Sequence, residues 1–144
     1  MSNTLAERGR SAAARLPPSA TLARWGLGGM VLAAGVHKLL DPAAWTVYVV
    51  DWLAPLLVVS PTAFMVINGY LEVGFGLALL ADRYTAVSSL VAAVSLSATC
   101  VYLAVVWATT GAVDGGAFGD VPARDVGLAG LAWAVLRESL TRGE

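Results

Sequence analysis

Four long apolar segments limit what this chain can fold into. They cover residues 21–40, 62–81, 84–110 and 122–140. A helix needs roughly 20 mostly apolar residues to cross a hydrocarbon core about 30 Å thick, and these segments are of that length. The chain is 58% hydrophobic and 13% charged, whereas soluble domains carry about 25% charged residues. The pattern predicts an all-α fold, a polytopic membrane four-helix bundle in contact with the lipid bilayer.

A further apolar stretch, residues 42–59, lies between the first two segments. The pairs Asp41–Pro42 and Ser60–Pro61 are both helix-start signals. The stretch carries Asp51 and Pro55 near its middle, which argues against a membrane span. Its aromatic residues have helical spacing and are of the type that favours the lipid–water boundary, namely Trp45, Tyr48 and Trp52. We therefore predict an additional interfacial or re-entrant helix over 42–59.

The distribution of basic residues supports four spans. Cytoplasmic flanks of membrane helices hold the excess of Lys and Arg. With four spans, seven basic residues lie inside and two outside, whereas a fifth span at 42–59 gives five against four. Residues 1–20 lack an apolar core and are predicted to be a cytoplasmic tail rather than a cleaved signal. We expect a multi-pass protein of the cell membrane whose N-terminus and C-terminal residues 142–144 are cytoplasmic.

The two basic residues on the outer side, Lys38 and Arg124, indicate a polar cluster. The strictly apolar parts of the first and fourth segments span 11 or 12 residues, or about 16–18 Å, so the charges flanking them must lie near or below the headgroups. In the second segment an Asn and a Glu are four residues apart and share a helix face. We predict one cluster in the outer half of the bundle, formed by His37, Lys38, Asn68, Glu72, Arg124 and Asp125.

Small residues indicate where the helices pack. Glycines permit close approach of helix backbones, and hydroxyl side chains make hydrogen bonds between membrane helices. The predicted packing residues are Gly28, Gly35, Gly76 and Ser95. A neutral, fully paired polar cluster could itself serve only to fix the register of the helices.

Cysteine and histidine counts limit the cofactors. One Cys and one His cannot form an intrachain disulfide, a bis-histidine haem site or a Cys/His zinc cluster within one chain. We therefore expect no covalently bound cofactor and no haem or metal site. No basic patch for nucleic acid is visible, and a homo-oligomer is left open.

Three stretches resemble the DoxX family of small membrane proteins over roughly residues 22–136. They read RWGLGGMVLAAGVHKLLDPAAW, NGYLEVGFGLALLADRY and VPARDVGLAGLAWAV. The shared features are Gly35 with Lys38, Glu72 with Gly74 and Gly76, and Arg124 with Asp125. The resemblance implies a four-helix membrane fold and a link to respiratory or thiol redox chemistry. Members occur as subunits of thiosulfate:quinone oxidoreductase and of terminal quinol oxidase assemblies.

Three functions fit these observations. The first is a membrane subunit or accessory of a quinone-linked redox complex, in which a partner protein supplies electrons and the polar cluster binds the quinone headgroup. Such a subunit could be quinone-binding or non-catalytic. The second is a transporter or binder of a small solute that uses the same cluster. The third is a structural or assembly protein whose charges only fix helix packing.

Overall fold

The regular structure is helical throughout the described part of the chain, in agreement with the predicted all-α class. The computed structural model describes the backbone of residues 2–110 and 117–143, and the side chains of residues 4–109 and 123–143. The α-helices are α1 (Ser2–Ala13), α2 (Ser19–Leu40), α3 (Pro61–Leu80), α4 (Thr85–Thr110) and α5 (Ala117–Arg142). Two short 3-10 helices, η1 (Ala43–Tyr48) and η2 (Ala54–Leu56), lie between α2 and α3.

Local sequence signals explain where the helices begin and turn. The Ser60 hydroxyl accepts a hydrogen bond from the Ala63 backbone N–H at 3.2 Å, and Pro61 occupies the first turn of α3. The Asp41 carboxylate likewise accepts from the Ala44 N–H at 3.1 Å before η1. The short turn from α3 to α4 uses two residues with positive φ, Asp82 at 54° and Tyr84 at 53°.

The long helices pack mainly as two antiparallel pairs, α2 with α3 and α4 with α5. Additional contacts between α2 and α5, and between α3 and α4, join the pairs. Gly28, Gly35 and Gly76 are buried where α2 meets α3. A Cβ on Gly76 would lie 2.6 Å from the Leu32 backbone nitrogen, and one on Gly35 would lie 2.7 Å from the Val73 nitrogen. The two backbones therefore approach more closely than any larger residue would allow.

One cluster of buried side chains joins the four long helices. It consists of Leu27 from α2, Leu79 from α3, Ala92 and Ala93 from α4, and Ala132 and Val135 from α5. The prediction that Ser95 packs between helices is wrong, since Ser95 is exposed. It lies at the edge of the buried stripe of α4. Its neighbour Ser97 instead accepts an interhelical hydrogen bond from Trp133 Nε1 at 3.2 Å.

The outer surfaces of α3 and α4 are apolar. Among the described residues, Pro61–Leu80 (20 residues, mean hydropathy 1.6) and Thr85–Thr109 (25 residues, mean hydropathy 2.1) are long and apolar enough to cross a membrane. Only 22% and 28% of their most apolar stretches are buried inside the chain. A core helix of a soluble protein would be mostly buried, so these surfaces indicate contact with lipid.

The segment between α2 and α3 differs from its prediction. One helix was expected over 42–59, but the chain forms η1 and η2 with a turn between them. Val49 ends η1 in an extended conformation. Pro55 lacks the N–H that a continuous α-helix would use to bond the carbonyl of Asp51. The segment is therefore two short 3-10 helices rather than one helix.

Candidate functional site

Close packing of α2 on α3 brings Lys38 and Glu72 together. Lys38 lies in the last turn of α2, one turn after Gly35, and a Cβ on Gly35 would lie 2.8 Å from the Glu72 Cβ. The Lys38 ammonium donates a hydrogen bond to Glu72 Oε1 and forms an ion pair with it. The two side chains are 11% and 28% exposed, respectively. Two members of the predicted polar cluster, Lys38 and Glu72, are therefore in contact.

Trp45 of η1 completes the site. Lys38 Nζ lies 4.6 Å from the centre of the Trp45 ring, which is a cation–π geometry. Trp45 Nε1 donates a hydrogen bond to His37 Nδ1 at 2.8 Å, and the two rings meet edge to face at 5.7 Å. We call Lys38, Glu72, His37 and Trp45 the Lys38–Glu72 site. Sequence reasoning assigned Trp45 to the lipid boundary and did not include it in the cluster.

The second oxygen of Glu72 is the unusual feature of the site. Among the residues whose side chains are described, Glu72 Oε2 is buried and has no hydrogen-bond partner. A buried acceptor without a donor is unfavourable by roughly 1–3 kcal/mol, and more for a charged group. This oxygen can therefore accept a hydrogen bond from a ligand or a water.

Helix α4 holds the segment that carries Trp45. The Tyr102 hydroxyl donates to the Tyr48 carbonyl at 2.6 Å and accepts from the Val50 N–H at 3.4 Å. The Tyr102 ring also meets Trp52 edge to face at 5.7 Å. These contacts attach both sides of the Val49 turn to the body of the protein. The position of Trp45 over Lys38 thus depends on α4 as well as on α2.

The other predicted cluster members lie apart from the Lys38–Glu72 site. Arg124 Nε donates to Asp125 Oδ1 at 2.9 Å, and Asp125 is buried on α5. Asn68 Nδ2 donates to the Phe64 carbonyl of its own helix at 2.9 Å. Among the side chains described, no ion pair or hydrogen bond joins either group to Lys38 or Glu72. The single predicted cluster is thus divided, because α3 packs on α2 whereas α5 packs on α4.

A second buried charge lies at the opposite end of α2. Arg24 is 7% exposed, and its Nη1 donates to the carbonyls of Leu79 at 2.5 Å and Leu80 at 3.2 Å. Its Nε lies 3.2 Å from Asp82 Oδ1. A cation at these carbonyls complements the C-terminal end of α3. Arg24 was not predicted as a buried residue, and its role here is to tie α2 to the α3–α4 turn.

The described residues contain no group of three or more His, Cys, Asp or Glu side chains that could hold a metal ion. The groups available to a ligand at the Lys38–Glu72 site are therefore an ammonium, an imidazole, an indole ring and a carboxylate oxygen.

The exposed apolar faces of α3 and α4 are those of an α-helical membrane protein. The chain belongs to the DoxX family, whose sequence profile matches residues 19–107. This range covers α2, α3 and most of α4, including all four residues of the Lys38–Glu72 site, and ends before Arg124 and Asp125. No significant match was found among curated proteins or solved structures.

Proposed function

We propose that this chain is a multi-pass protein of the cell membrane that binds a quinone at the Lys38–Glu72 site, as a subunit or accessory of a redox complex. The observation that carries the proposal is the combination at this site of a largely buried cation and a carboxylate with one unpaired buried oxygen. Intramembrane ionisable residues are functional candidates by default.

The arrangement of α2 and α3 supports a site below the outer membrane surface. Glu72 follows Pro61 by 11 residues, which is about 16 Å along a helix. Lys38 reaches Glu72 although α2 ends two residues later, at Leu40. The outer part of α3 therefore extends beyond α2 and contacts η1. In a four-span arrangement with the arginine-rich side in the cytoplasm, residues 41–60 would cover the site from the outer side.

The donors and acceptors of the site fit both forms of a quinone. Lys38 can donate to a carbonyl oxygen. Because His37 Nδ1 accepts from Trp45, the neutral imidazole carries its proton on Nε2, and that N–H is a second donor. Glu72 Oε2 can accept from a quinol hydroxyl and hold or release its proton. A bound quinone would supply two-electron, two-proton chemistry, with the electrons coming from a partner oxidoreductase.

Quinone retention tests the proposal. The full chain and the variants Lys38→Met and Glu72→Gln would be extracted with surrounding lipid into polymer nanodiscs, and quinone per chain would be quantified by chromatography. We expect each variant to lose about tenfold or more of the retained quinone, as expected for loss of a charge-assisted hydrogen bond. Glu138→Gln is the matched control, because this exposed carboxylate lies at the far end of α5 and pairs with Arg142.

Abundance and thermal stability of each variant separate binding from folding. Reduced stability with unchanged quinone content would overturn the proposal and favour a network that only fixes helix register. Solute uptake into proteoliposomes that depends on Glu72, without retained quinone, would overturn it in favour of transport. Co-purification with an oxidoreductase that is lost in Lys38→Met would support the redox partnership.

A further inference from the structure

Helix α1 is a small amphipathic helix with no buried side chain among its described residues. Residues 4–16 are all exposed. Hydrogen bonds from the N–H groups of residues 14–16 to the carbonyls of Arg10, Ala12 and Ala13 continue the helical turn beyond Ala13. One side is apolar, with residues at spacings of four, three and four: Leu5, Gly9, Ala12 and Leu16. Leu5 is 72% exposed and Leu16 61%, so both ends of this side are uncovered.

Basic residues border the apolar side of α1. At 100° per residue, Arg8 and Arg15 fall on one edge of this side, whereas Arg10 lies about 130° from its centre, on the polar side of the helix. Residues 2–16 contain these three arginines and one acidic residue, Glu7, for a net charge of +2. Arginine can keep its head group in a charged layer while its stem lies along an apolar boundary. The pattern is that of a helix lying in an interface plane.

The position of α1 along the chain brings it close to the membrane surface. Only residues 14–18 separate it from α2, which begins at Ser19. Pro17 and Pro18 stiffen this connection, and Pro18 has the extended geometry of φ −50° and ψ 145°. Such a short link keeps α1 at the end of α2 that carries Arg24 and faces the α3–α4 turn.

We propose that α1 binds an anionic lipid surface, with Arg8 and Arg15 on phospholipid phosphates and Leu5 and Leu16 inserted at the headgroup boundary. The charge complementarity favours lipid over a second copy of this helix, which would bring like charges together. The two leucines, with Gly9 and Ala12, also offer far less area than the roughly 1,000 Å² of a stable protein interface. The inference is independent of quinone binding and of which way the chain faces.

Spin-label accessibility in nanodiscs tests this inference. In a full-length Cys100→Ala background, single labels would be placed by Leu5→Cys on the apolar side and by Ser11→Cys on the polar side. Nanodiscs of phosphatidylcholine would be compared with nanodiscs that also contain phosphatidylglycerol. We expect the ratio of oxygen to nickel-chelate accessibility at position 5 to rise roughly threefold or more with the anionic lipid, and position 11 to change little.

Charge variants complete the test. Arg8→Gln combined with Arg15→Gln should abolish the rise at position 5, while the control Glu7→Gln should keep it. Equal accessibility at positions 5 and 11, or the same ratio in both lipids, would overturn the inference. Dipolar broadening between labels at position 5 would also overturn it, because it would show that a second copy covers the apolar side.

Discussion

At the residue scale, the Lys38–Glu72 pair is the contact whose loss should be costly for folding. Removing one member of a buried ion pair leaves the other charge uncompensated, which typically costs about 3–5 kcal/mol when burial is complete. Lys38 is 11% exposed and Glu72 28%, so the cost here is expected to be smaller. The exposed fraction of Glu72 and its unpaired Oε2 leave the pair open to a ligand. Arg24, at the other end of α2, donates through Nη1 to two α3 carbonyls and forms an ion pair with Asp82.

The close approach of α2 and α3 depends on single glycines. Gly76→Ala would place a Cβ 2.6 Å from the Leu32 nitrogen and 2.8 Å from its Cα. Backbone atoms cannot move aside as a flexible side chain can, so the helices would have to separate. We expect a loss of about 1–3 kcal/mol in unfolding free energy, measured by denaturant unfolding in detergent micelles.

Gly74→Ala is the matched control for this prediction. It lies on the same helix two residues away, and a Cβ there meets nothing within 4 Å. We expect unfolding of this variant to be close to that of the wild type or slightly more stable, because Ala favours helix over Gly. Equal losses in both variants would show that the α2–α3 contact is not as close as described.

At the element scale, segment 41–60 is held by its contacts rather than by its own helical structure. Its two 3-10 helices contain no buried residue, and short 3-10 helices have little stability alone. Tyr102 is the main side chain that connects the segment to α4. The Lys38–Glu72 site is therefore built from the two long helices α2 and α3 and from one segment that is held in place by Tyr102 of α4.

Tyr102→Phe should release this segment. The variant removes the donor to the Tyr48 carbonyl and the acceptor for the Val50 N–H while keeping the ring. We expect faster amide hydrogen exchange at residues 45–52, with little change in α3, because local opening becomes easier when few contacts remain. Tyr70→Phe is the control, since Tyr70 is 67% exposed on α3. Unchanged exchange in Tyr102→Phe would mean that η1 is held by other contacts.

At the scale of the whole molecule, the predicted four-span orientation can be tested by labelling. It predicts that the turn at Arg83 lies in the cytoplasm and the segment at Asp51 outside. In a Cys100→Ala background, Asp51→Cys should react with a membrane-impermeant maleimide on intact cells. Arg83→Cys should react only after permeabilisation, because both positions are exposed and the four-span orientation predicts that they lie on opposite sides of the membrane.

The parent Cys100→Ala chain, which has no cysteine, sets the background for this labelling. Reaction of both variants on intact cells would be inconsistent with the four-span orientation. A reversed pattern would place the arginine-rich side outside, against the usual preference of basic flanks for the cytoplasm.

The sequence by itself determined the helical class, the family and the four long helix-forming segments, whereas α1 lies in residues that the sequence predicts only to be a tail. These depend on local properties: continuous apolar runs, capping residues such as Ser60, and glycines at helical spacing. The same local information placed Lys38 near the end of α2 and Glu72 deep in α3. The cap signals at Asp41 and Ser60 agree with the structure. The predicted single helix over 42–59 does not form, because Pro55 interrupts it.

Only the tertiary structure decided which polar residues meet. Helical spacing gives the face of a residue on its own helix, but not which helix lies opposite that face. Because α3 pairs with α2 and α5 with α4, Glu72 meets Lys38, while Asp125 is paired with its neighbour Arg124. The placement of Trp45 over Lys38 depends on the path of a non-helical segment and on its attachment to Tyr102, and neither leaves a periodic signal in the sequence.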